Sequence, residues 1–340
     1  MIHPHIADAL KSPDLVRLTD GLVLVRFESM KIYSALAAVR HLLDRGTVRA
    51  GQTLVDSSSG IYAYALALAC HRHGMRCHIV ASTTVDASTR AQLEILGATV
   101  EQVGPSQDLR LDQELRVRRV REILRRRPDC HWMRQYHDDV HYLGYGEVAD
   151  RIAELCPARP LTVVGGVGSG ASTGGIVERL RVADPAVRLV GVQPFGSVTF
   201  GSEAHRDPEA IIAGIGSSIV FDNVRHRLYD AVHWMDFAHA MSGAVALLRE
   251  HAVFAGLSTG AGYLAAAHEA RRHPGRLHLV IGADTGHRYV ERVFARHAEA
   301  LDPGALKPVE VPGPEEMTMP WSTMSWQRAP RPARGREHAA

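Results

Sequence analysis

Three stretches rich in glycine and serine lie where an apolar run gives way to a helical pattern. They are SSSG at 57–60, GGVGSGASTGG at 165–175 and AGLSTGAG at 255–262. The start of a helix carries free N–H groups and partial positive charge, so such turns bind phosphate or carboxylate groups. Neither a G-x-G-x-x-G dinucleotide fingerprint nor a G-K-[ST] P-loop is present. Together the turns predict a small ligand with a phosphate and a carboxylate, although any one alone also fits a tight turn without a ligand.

Lys31 is the second candidate for chemistry. Only three of the 39 lysine and arginine residues are lysines, and the other two, Lys11 and Lys307, lie near the ends of the chain. Lysine, unlike arginine, can lose its proton and attack a carbonyl group. The composition therefore singles out Lys31 as a candidate nucleophile.

The surrounding pattern places these residues in an α/β fold. Short apolar runs alternate with longer amphipathic segments from about residue 50, and a second such series begins near residue 147. This alternation is typical of βαβ units with parallel sheets. We therefore expect two three-layer α/β domains with mostly parallel sheets, and a ligand cleft between them at the carboxyl ends of the strands.

The expected domain limits follow from the same pattern. An N-terminal domain at 1–146 contains a small mobile subdomain at about 40–140, and a C-terminal domain with the phosphate loop covers 147–300. Residues 301–340 are rich in proline and lack periodicity, which predicts a tail. Trp321 and Trp326 are expected to fray with it.

The order of the motifs resembles the cysteine synthase family of pyridoxal-phosphate enzymes, which have fold type II and include the tryptophan synthase β chain. The resemblance covers about residues 12–295. It rests on Lys31 followed in order by SSSG, GVGSGASTGG, GVQP, AGIGSS, AGLSTGAG and ADTGHRY. GVQPFGSVTFG at 191–201 is also reminiscent of the siderophore-type 2,3-diaminopropionate synthases of this family.

The resemblance implies a role for each residue that matches a family motif. Lys31, within Ser29-Met30-Lys31, matches the lysine that holds pyridoxal 5′-phosphate as a Schiff base, and Ser258 matches the serine that faces the pyridine nitrogen. The phosphate cradle matches Gly168, Ser169, Gly170, Ala171 and Ser172. The residues that bind the substrate carboxylate match Ser58, Ser59, Gly60 and Gln135. The sequence departs from the family at Ile61, where the family has an asparagine that contacts the cofactor.

The implied reaction is β-replacement on an activated L-serine, such as O-acetyl- or O-phospho-L-serine. Lys31 removes the α-proton, the leaving group departs from Cβ to give an aminoacrylate, and a second nucleophile adds. The product is a β-substituted alanine such as cysteine or a diaminopropionate-type compound. Two alternatives stay open: β-elimination of the serine/threonine dehydratase type, and a pseudo-enzyme that retains the fold without activity.

The family resemblance implies small amino-acid substrates and a second copy of the chain as partners, and composition argues against nucleic acid and membranes. A net charge of +2 gives no general attraction to nucleic acid, and no apolar run is long enough to span a membrane, so we expect a cytoplasmic protein. We expect no metal site, although His137 and His141 share the spacing of one helical face. The arginine-rich stretch RVRRVREILRRR at 116–127 has an apolar stripe, which favours a solvated helix face over a nucleic-acid patch.

Overall fold

The computed structural model describes residues 2–58, 60–82, 85–104, 109–156, 160–210 and 214–331. Its helices are α1 (Ile6–Ala9), α2 (Lys31–Asp44), α3 (Ile61–His73), α4 (Ala87–Ile95), α5 (Leu109–Arg126), α6 (Tyr145–Leu155), α7 (Ala171–Ala183), α8 (Phe237–His251) and α9 (Leu257–Arg272). Its strands are β1 (Asp14–Thr19), β2 (Leu22–Arg26), β3 (Thr53–Ser57), β4 (Arg76–Ala81), β5 (Thr99–Gln102), β6 (His131–Trp132), β7 (Leu161–Gly166), β8 (Arg188–Pro194), β9 (Ala231–Met235), β10 (Leu277–Gly282), β11 (Val309–Glu310) and β12 (Trp321–Ser325).

The strands form two sheets, which agrees with the predicted α/β class. The larger sheet has the order β1-β2-β10-β7-β8-β9-β12-β11, and the smaller sheet has the order β5-β4-β3-β6. The smaller sheet is parallel throughout, and the strands from β2 to β9 in the larger sheet are also parallel. Strands such as β3 and β10 are buried along their whole length, as expected for parallel strands covered by helices on both faces.

Local signals set the ends of several helices. Asp236 caps α8 by accepting a hydrogen bond from the backbone N–H of His239 at 2.9 Å. Gly74 ends α3 in the left-handed region at φ +62°, where glycine avoids the cost of a Cβ. The three glycine- and serine-rich turns lead into α3, α7 and α9, so the predicted strand-to-helix turns occur at all three places.

Residues 301–331 do not extend from the body as the predicted tail. Strand β12 pairs antiparallel with β9, which continues the larger sheet at this edge. Trp321 is 1% exposed and its indole N–H donates to Nδ1 of His233 at 3.1 Å, while Trp326 is also buried. The expectation that both tryptophans fray is wrong, because Trp321 lies in a five-residue strand that pairs with the sheet edge, and Trp326, which follows this strand, packs against Phe200. Residues 332–340 lie outside the described part of the chain.

The smaller sheet falls within the segment predicted to form a small subdomain at about 40–140. Strands β1 and β2 precede that segment and belong to the larger sheet. The domain boundary at residue 146 and the mobility of the small subdomain stay predictions. No helix in the described ranges is long and apolar enough to cross a membrane.

Candidate active site

A cleft of about 890 Å³ is lined by residues from both sheets and their connecting loops. Of the predicted site residues, six line it directly: Lys31, Ser58, Gly60, Gln135, Gly168 and Ser169. The carboxyl ends of the parallel strands face this cleft, as the general rule for α/β sheets requires. Residues that lie far apart in the sequence therefore meet at one site.

Lys31 is the first residue of α2 and follows a segment held by strand β10. The backbone N–H of Met30 donates to the carbonyl of Ala283 at 2.9 Å, which fixes the entry to the helix. Nζ of Lys31 donates to Oγ of Ser169 at 3.0 Å, which joins the lysine to the glycine-rich turn. Burial lowers the pKa of Lys31 to about 8, so its neutral, nucleophilic form is accessible near neutral pH.

The turn at 168–172 has the form of a phosphate cradle. Gly170 has φ +77°, and a Cβ built on Gly168 would lie 2.4 Å from the carbonyl oxygen of Gly214. Because the first N–H groups of α7 have no partner within the helix, they are available to an anion. The hydroxyl groups of Ser169 and Ser172 lie in the same buried turn. A cofactor phosphate therefore fits this turn, and the adjoining buried lysine fits a cofactor aldehyde.

The remaining residues of the predicted cofactor set lie behind the cleft wall. Ala171 and Ser172 continue from Gly170 into α7, and Ser258 lies in the first turn of α9. Cβ of Ser258 is 3.4 Å from a Cβ built on Gly166, so α9 begins directly beside the glycine-rich turn. Ser258 is buried but does not line the cleft, and its role toward the pyridine nitrogen stays a prediction.

The predicted carboxylate-binding residues are held by Asp56. Its carboxylate accepts hydrogen bonds from the backbone N–H groups of Ser57 at 2.8 Å and Gln135 at 3.0 Å, and from the indole N–H of Trp132 at 3.0 Å. The side-chain amide of Gln135 donates to the carbonyl of Ser57 at 2.9 Å. Burial raises the pKa of Asp56 to about 6. Ser59 lies outside the described residues.

Three cleft residues on α5 were missed by the sequence analysis: Asp112, Gln113 and Arg116. All three are at least 90% buried, although the arginine-rich end of this helix was expected to be a solvated face. Val120 and Ile123 are buried as the predicted stripe requires. The sequence did contain a signal for them. Gln113, Arg116 and Val120 follow one another at spacings of three and four residues, so the two polar side chains fall on the same face of the helix as the apolar stripe.

The two histidines with helical spacing have protein partners. His141 is buried between Oγ of Ser34 at 3.1 Å and the carbonyl of Met133 at 2.7 Å. His137 faces the carboxylate of Asp222 at 2.8 Å. Among the residues that the structure describes, no group of three possible metal ligands occurs.

The fold and the cleft together define an α/β enzyme with a buried lysine beside an anion-binding turn. Residues 24–282 match the family model described as "Pyridoxal-phosphate dependent enzyme", and the chain belongs to this family. It is an enzyme of the cysteine synthase type, which confirms the family, fold class and cofactor expected from the sequence.

Two relatives and one solved structure show how close the similarity is. An N-(2-amino-2-carboxyethyl)-L-glutamate synthase of Cupriavidus metallidurans is 34% identical over 86% of this chain and 90% of its own length. A cysteine synthase of Helicobacter pylori is 26% identical over 73% of this chain and 79% of its own length. The structure of an O-acetylserine-dependent cystathionine β-synthase from Helicobacter pylori superimposes with a TM-score of 0.78 at 22% identity, over 86% of this chain and 98% of that one. These relatives confirm the predicted reaction class, which is β-replacement on an activated L-serine.

Proposed function

We propose that this chain joins O-phospho-L-serine to the nitrogen of L-glutamate, which gives a 2,3-diaminopropionate-type product and phosphate. The Cupriavidus metallidurans relative supports the proposal, because its name describes a glutamate whose nitrogen carries a 2-amino-2-carboxyethyl group. The observation that carries the choice of an anionic serine derivative is the buried guanidinium of Arg116 in the cleft.

Arg116 has the properties of an anion receptor. Its Nη1 donates to Oγ of Ser57 at 3.2 Å, while its buried Nε has no hydrogen-bond partner among the described residues. A guanidinium stays charged at all physiological pH values, and the carboxylate of Asp112 lies near enough to interact with its charge without accepting a hydrogen bond from it. A phosphate group on the substrate would supply the acceptor that Nε lacks and add negative charge beside the guanidinium.

The other side chains of the cleft supply binding and proton transfer. Pyridoxal phosphate, when bound, takes up the electrons left at Cα of the substrate after its proton departs. Lys31 is placed to hold the cofactor aldehyde and then to accept that proton, since its amine is buried and its pKa is lowered. Ser169 orients the amine of Lys31 through their hydrogen bond.

Ser58, Gly60 and Gln135 are proposed to hold the substrate carboxylate. Ser58 and Gly60 lie between the carboxyl end of β3 and the N-terminus of α3, where free N–H groups favour an anion, and Gln135 lies in the loop after β6. Asp56 fixes Gln135 relative to Ser57, so the two parts of this subsite keep one geometry. The substrate carbon chain then lies between this subsite and Lys31.

The test compares leaving groups and nucleophiles in the protein loaded with its cofactor. O-phospho-L-serine and O-acetyl-L-serine are added separately, and the change in visible cofactor absorbance is followed. L-glutamate or sulfide is then added, and the product is identified by mass spectrometry. We expect a lower KM for the phosphorylated substrate and a product with the mass of a glutamate bearing the three-carbon unit.

Arg116→Met tests the anion receptor, and Arg118→Met on the exposed face of the same helix is its control. Because a hydrogen bond to a charged group contributes about 1.5–3 kcal/mol, Arg116→Met should raise the KM for O-phospho-L-serine roughly 10- to 100-fold. The KM for O-acetyl-L-serine should change little. Equal effects on both substrates would rule out the assignment, and pyruvate with ammonia as sole products would select β-elimination.

Three further properties are inferred from the family resemblance. We expect a homodimer, a cytoplasmic location, and a movement of the segment at about 40–140 toward the larger sheet when ligands bind. Light scattering should give twice the mass of one chain in solution.

A further inference from the structure

Asp112 is a cleft residue that the reaction as described so far does not use. Its side chain is 8% exposed and lines the cleft, and no described residue donates a hydrogen bond to its carboxylate. Burial raises its pKa, while the neighbouring Arg116 acts in the opposite direction. The carboxylate therefore opens only to the cleft, where a ligand can donate a hydrogen bond to it.

Asp112 and Arg116 form a receptor of opposite charges on one helix face. They are four residues apart on α5, so their side chains project from neighbouring turns of the same face. Despite this spacing the two groups do not form an ion pair, and Nε of Arg116 is unpartnered. A carboxylate and a guanidinium that line one cleft without an ion pair between them can bind, respectively, the ammonium and the carboxylate group of an amino acid.

Gln113 fixes the position of this pair. Its Oε1 accepts hydrogen bonds from the backbone N–H of Ser218 at 2.9 Å and from Oγ of Ser217 at 3.3 Å. These bonds tie the first turns of α5 to the loop beside Gly214 and Gly216, which also line the cleft. The rotation of α5 about its axis is thereby restricted, and Asp112 and Arg116 stay directed at the substrate.

We propose that Asp112 receives the ammonium group of the amino-acid nucleophile and accepts its proton. This inference rests on the proposed function, since it concerns the second half of that reaction. The leaving group departs from the same carbon that the nucleophile attacks, so Arg116 serves the phosphate first and then a carboxylate of the incoming amino acid. During the first half of the reaction the incoming ammonium group is absent, so Asp112 acts only in the second half.

The step needs a proton acceptor, and Asp112 is a carboxylate in the cleft that can serve as one. An amino acid enters as an ammonium, whose nitrogen has no lone pair. One proton passes to the carboxylate of Asp112, and the freed lone pair forms the N–C bond to Cβ of the unsaturated three-carbon unit. The π electron pair of that unit moves to Cα, which takes a proton from Lys31, and Asp112 later releases its proton to water. Hydrosulfide already has a lone pair and needs no such base.

Asp112→Asn separates the two halves of the reaction. The holoenzyme is first mixed with O-phospho-L-serine, and the cofactor absorbance change gives the rate of the first half. L-glutamate or sulfide is then added, and the return of the absorbance gives the rate of the second half. Because a positioned base contributes about 10²- to 10⁴-fold, the return with glutamate should slow at least about 100-fold. The return with sulfide and the rate of the first half should stay within about threefold of the unchanged protein.

The control is Glu114→Gln, which removes a carboxylate from an exposed position on the same helix. If Asp112→Asn does not take up the cofactor, Asp112→Glu keeps the carboxylate one methylene farther out and should slow the glutamate step selectively. Equal slowing of Asp112→Asn with glutamate and sulfide, or no slowing with glutamate, would overturn the inference. Failure of the proposed function looks different, because then the wild-type protein shows no absorbance change with O-phospho-L-serine, or no return of the absorbance with glutamate.

Discussion

On the side of the cleft next to the larger sheet, the lining consists mainly of glycine-rich backbone, serine hydroxyl groups and Lys31. Gly168 and Gly170 bring the chain close to the carbonyl groups of Gly214 and Asn223, where a Cβ would collide. On the side next to the smaller sheet, the lining includes longer polar side chains, among them Gln135 and Arg116. We call the first the cofactor side (Lys31, 168–172 and Ser258) and the second the substrate side (Ser58, Gly60, Asp112, Arg116 and Gln135).

The difference between the two sides reflects what each must recognise. A phosphate group carries two negative charges and accepts hydrogen bonds from many directions. Converging backbone N–H groups at a helix start are therefore enough to bind it, whichever side chains are present. One amino acid differs from another in the groups of its side chain, and protein side chains at set distances are needed to distinguish them. We therefore expect changes on the cofactor side to abolish the reaction and changes on the substrate side to alter selectivity.

The largest effect is expected from Lys31→Ala. Loss of the buried amine removes both the attachment point and the α-proton acceptor, so turnover of O-phospho-L-serine should fall at least about 1,000-fold. Reduction with borohydride followed by mass spectrometry should find no cofactor attached to the protein. Lys11→Ala, at a residue that does not line the cleft, serves as the control. Turnover that survives in Lys31→Ala would remove Lys31 from the cofactor side.

Gln135→Ala should act on the substrate side alone. It removes a donor to the substrate carboxylate, so the KM for the serine substrate should rise roughly 10- to 100-fold, the equivalent of about 1.5–3 kcal/mol. The affinity for pyridoxal phosphate, measured by titration of the cofactor-free protein, should stay unchanged. Gln92→Ala on the exposed face of α4 is the control. A comparable loss of cofactor affinity would show that the two sides are not independent.

Gly168→Ala should weaken the cofactor side without a direct effect on substrate contacts. The new Cβ would lie 2.4 Å from the carbonyl oxygen of Gly214, so one of the two backbone segments must move. Such overpacking costs about 1–3 kcal/mol in the free energy of unfolding and should reduce the cofactor affinity about tenfold. Gly146→Ala in α6, where a Cβ has no atom within 4 Å, should stabilise the protein or leave it unchanged. Thermal unfolding with and without the cofactor measures both effects.

The mildest intervention is a change of pH alone, which alters no residue. The pKa of Lys31 is lowered to about 8, so the amine is mainly protonated below this value and mainly neutral above it. The rate at which cofactor-free protein attaches pyridoxal phosphate should rise about tenfold per pH unit from pH 6 and level off above about pH 8. Pyridoxine phosphate, which lacks the aldehyde, should not show this dependence in its binding. An inflection near pH 10 would mean that Lys31 is not buried in solution.

Sequence reasoning succeeded where the chemistry depends on neighbouring residues. The strand, turn and helix around 165–175 follow from local rules, and the scarcity of lysine drew attention to Lys31. It was less successful for α5, because the many arginines of this helix predicted a solvent-exposed face and gave no sign that Arg116 is buried. It was wrong for Trp321, since a proline-rich stretch without periodicity gives no sign of the five-residue strand within it.

The sequence by itself determined the α/β class, the three glycine- and serine-rich turns at helix starts and the unusual Lys31, because glycine content, helix starts and strand periodicity act over a few residues. Only the tertiary structure decided which side chains share the cleft with Lys31. Ser169 lies 138 residues after the lysine to which it is bonded, and Gln113 lies 105 residues before Ser218. The sheet order sets such distances, and it follows from the packing of all the strands together, which no local pattern encodes.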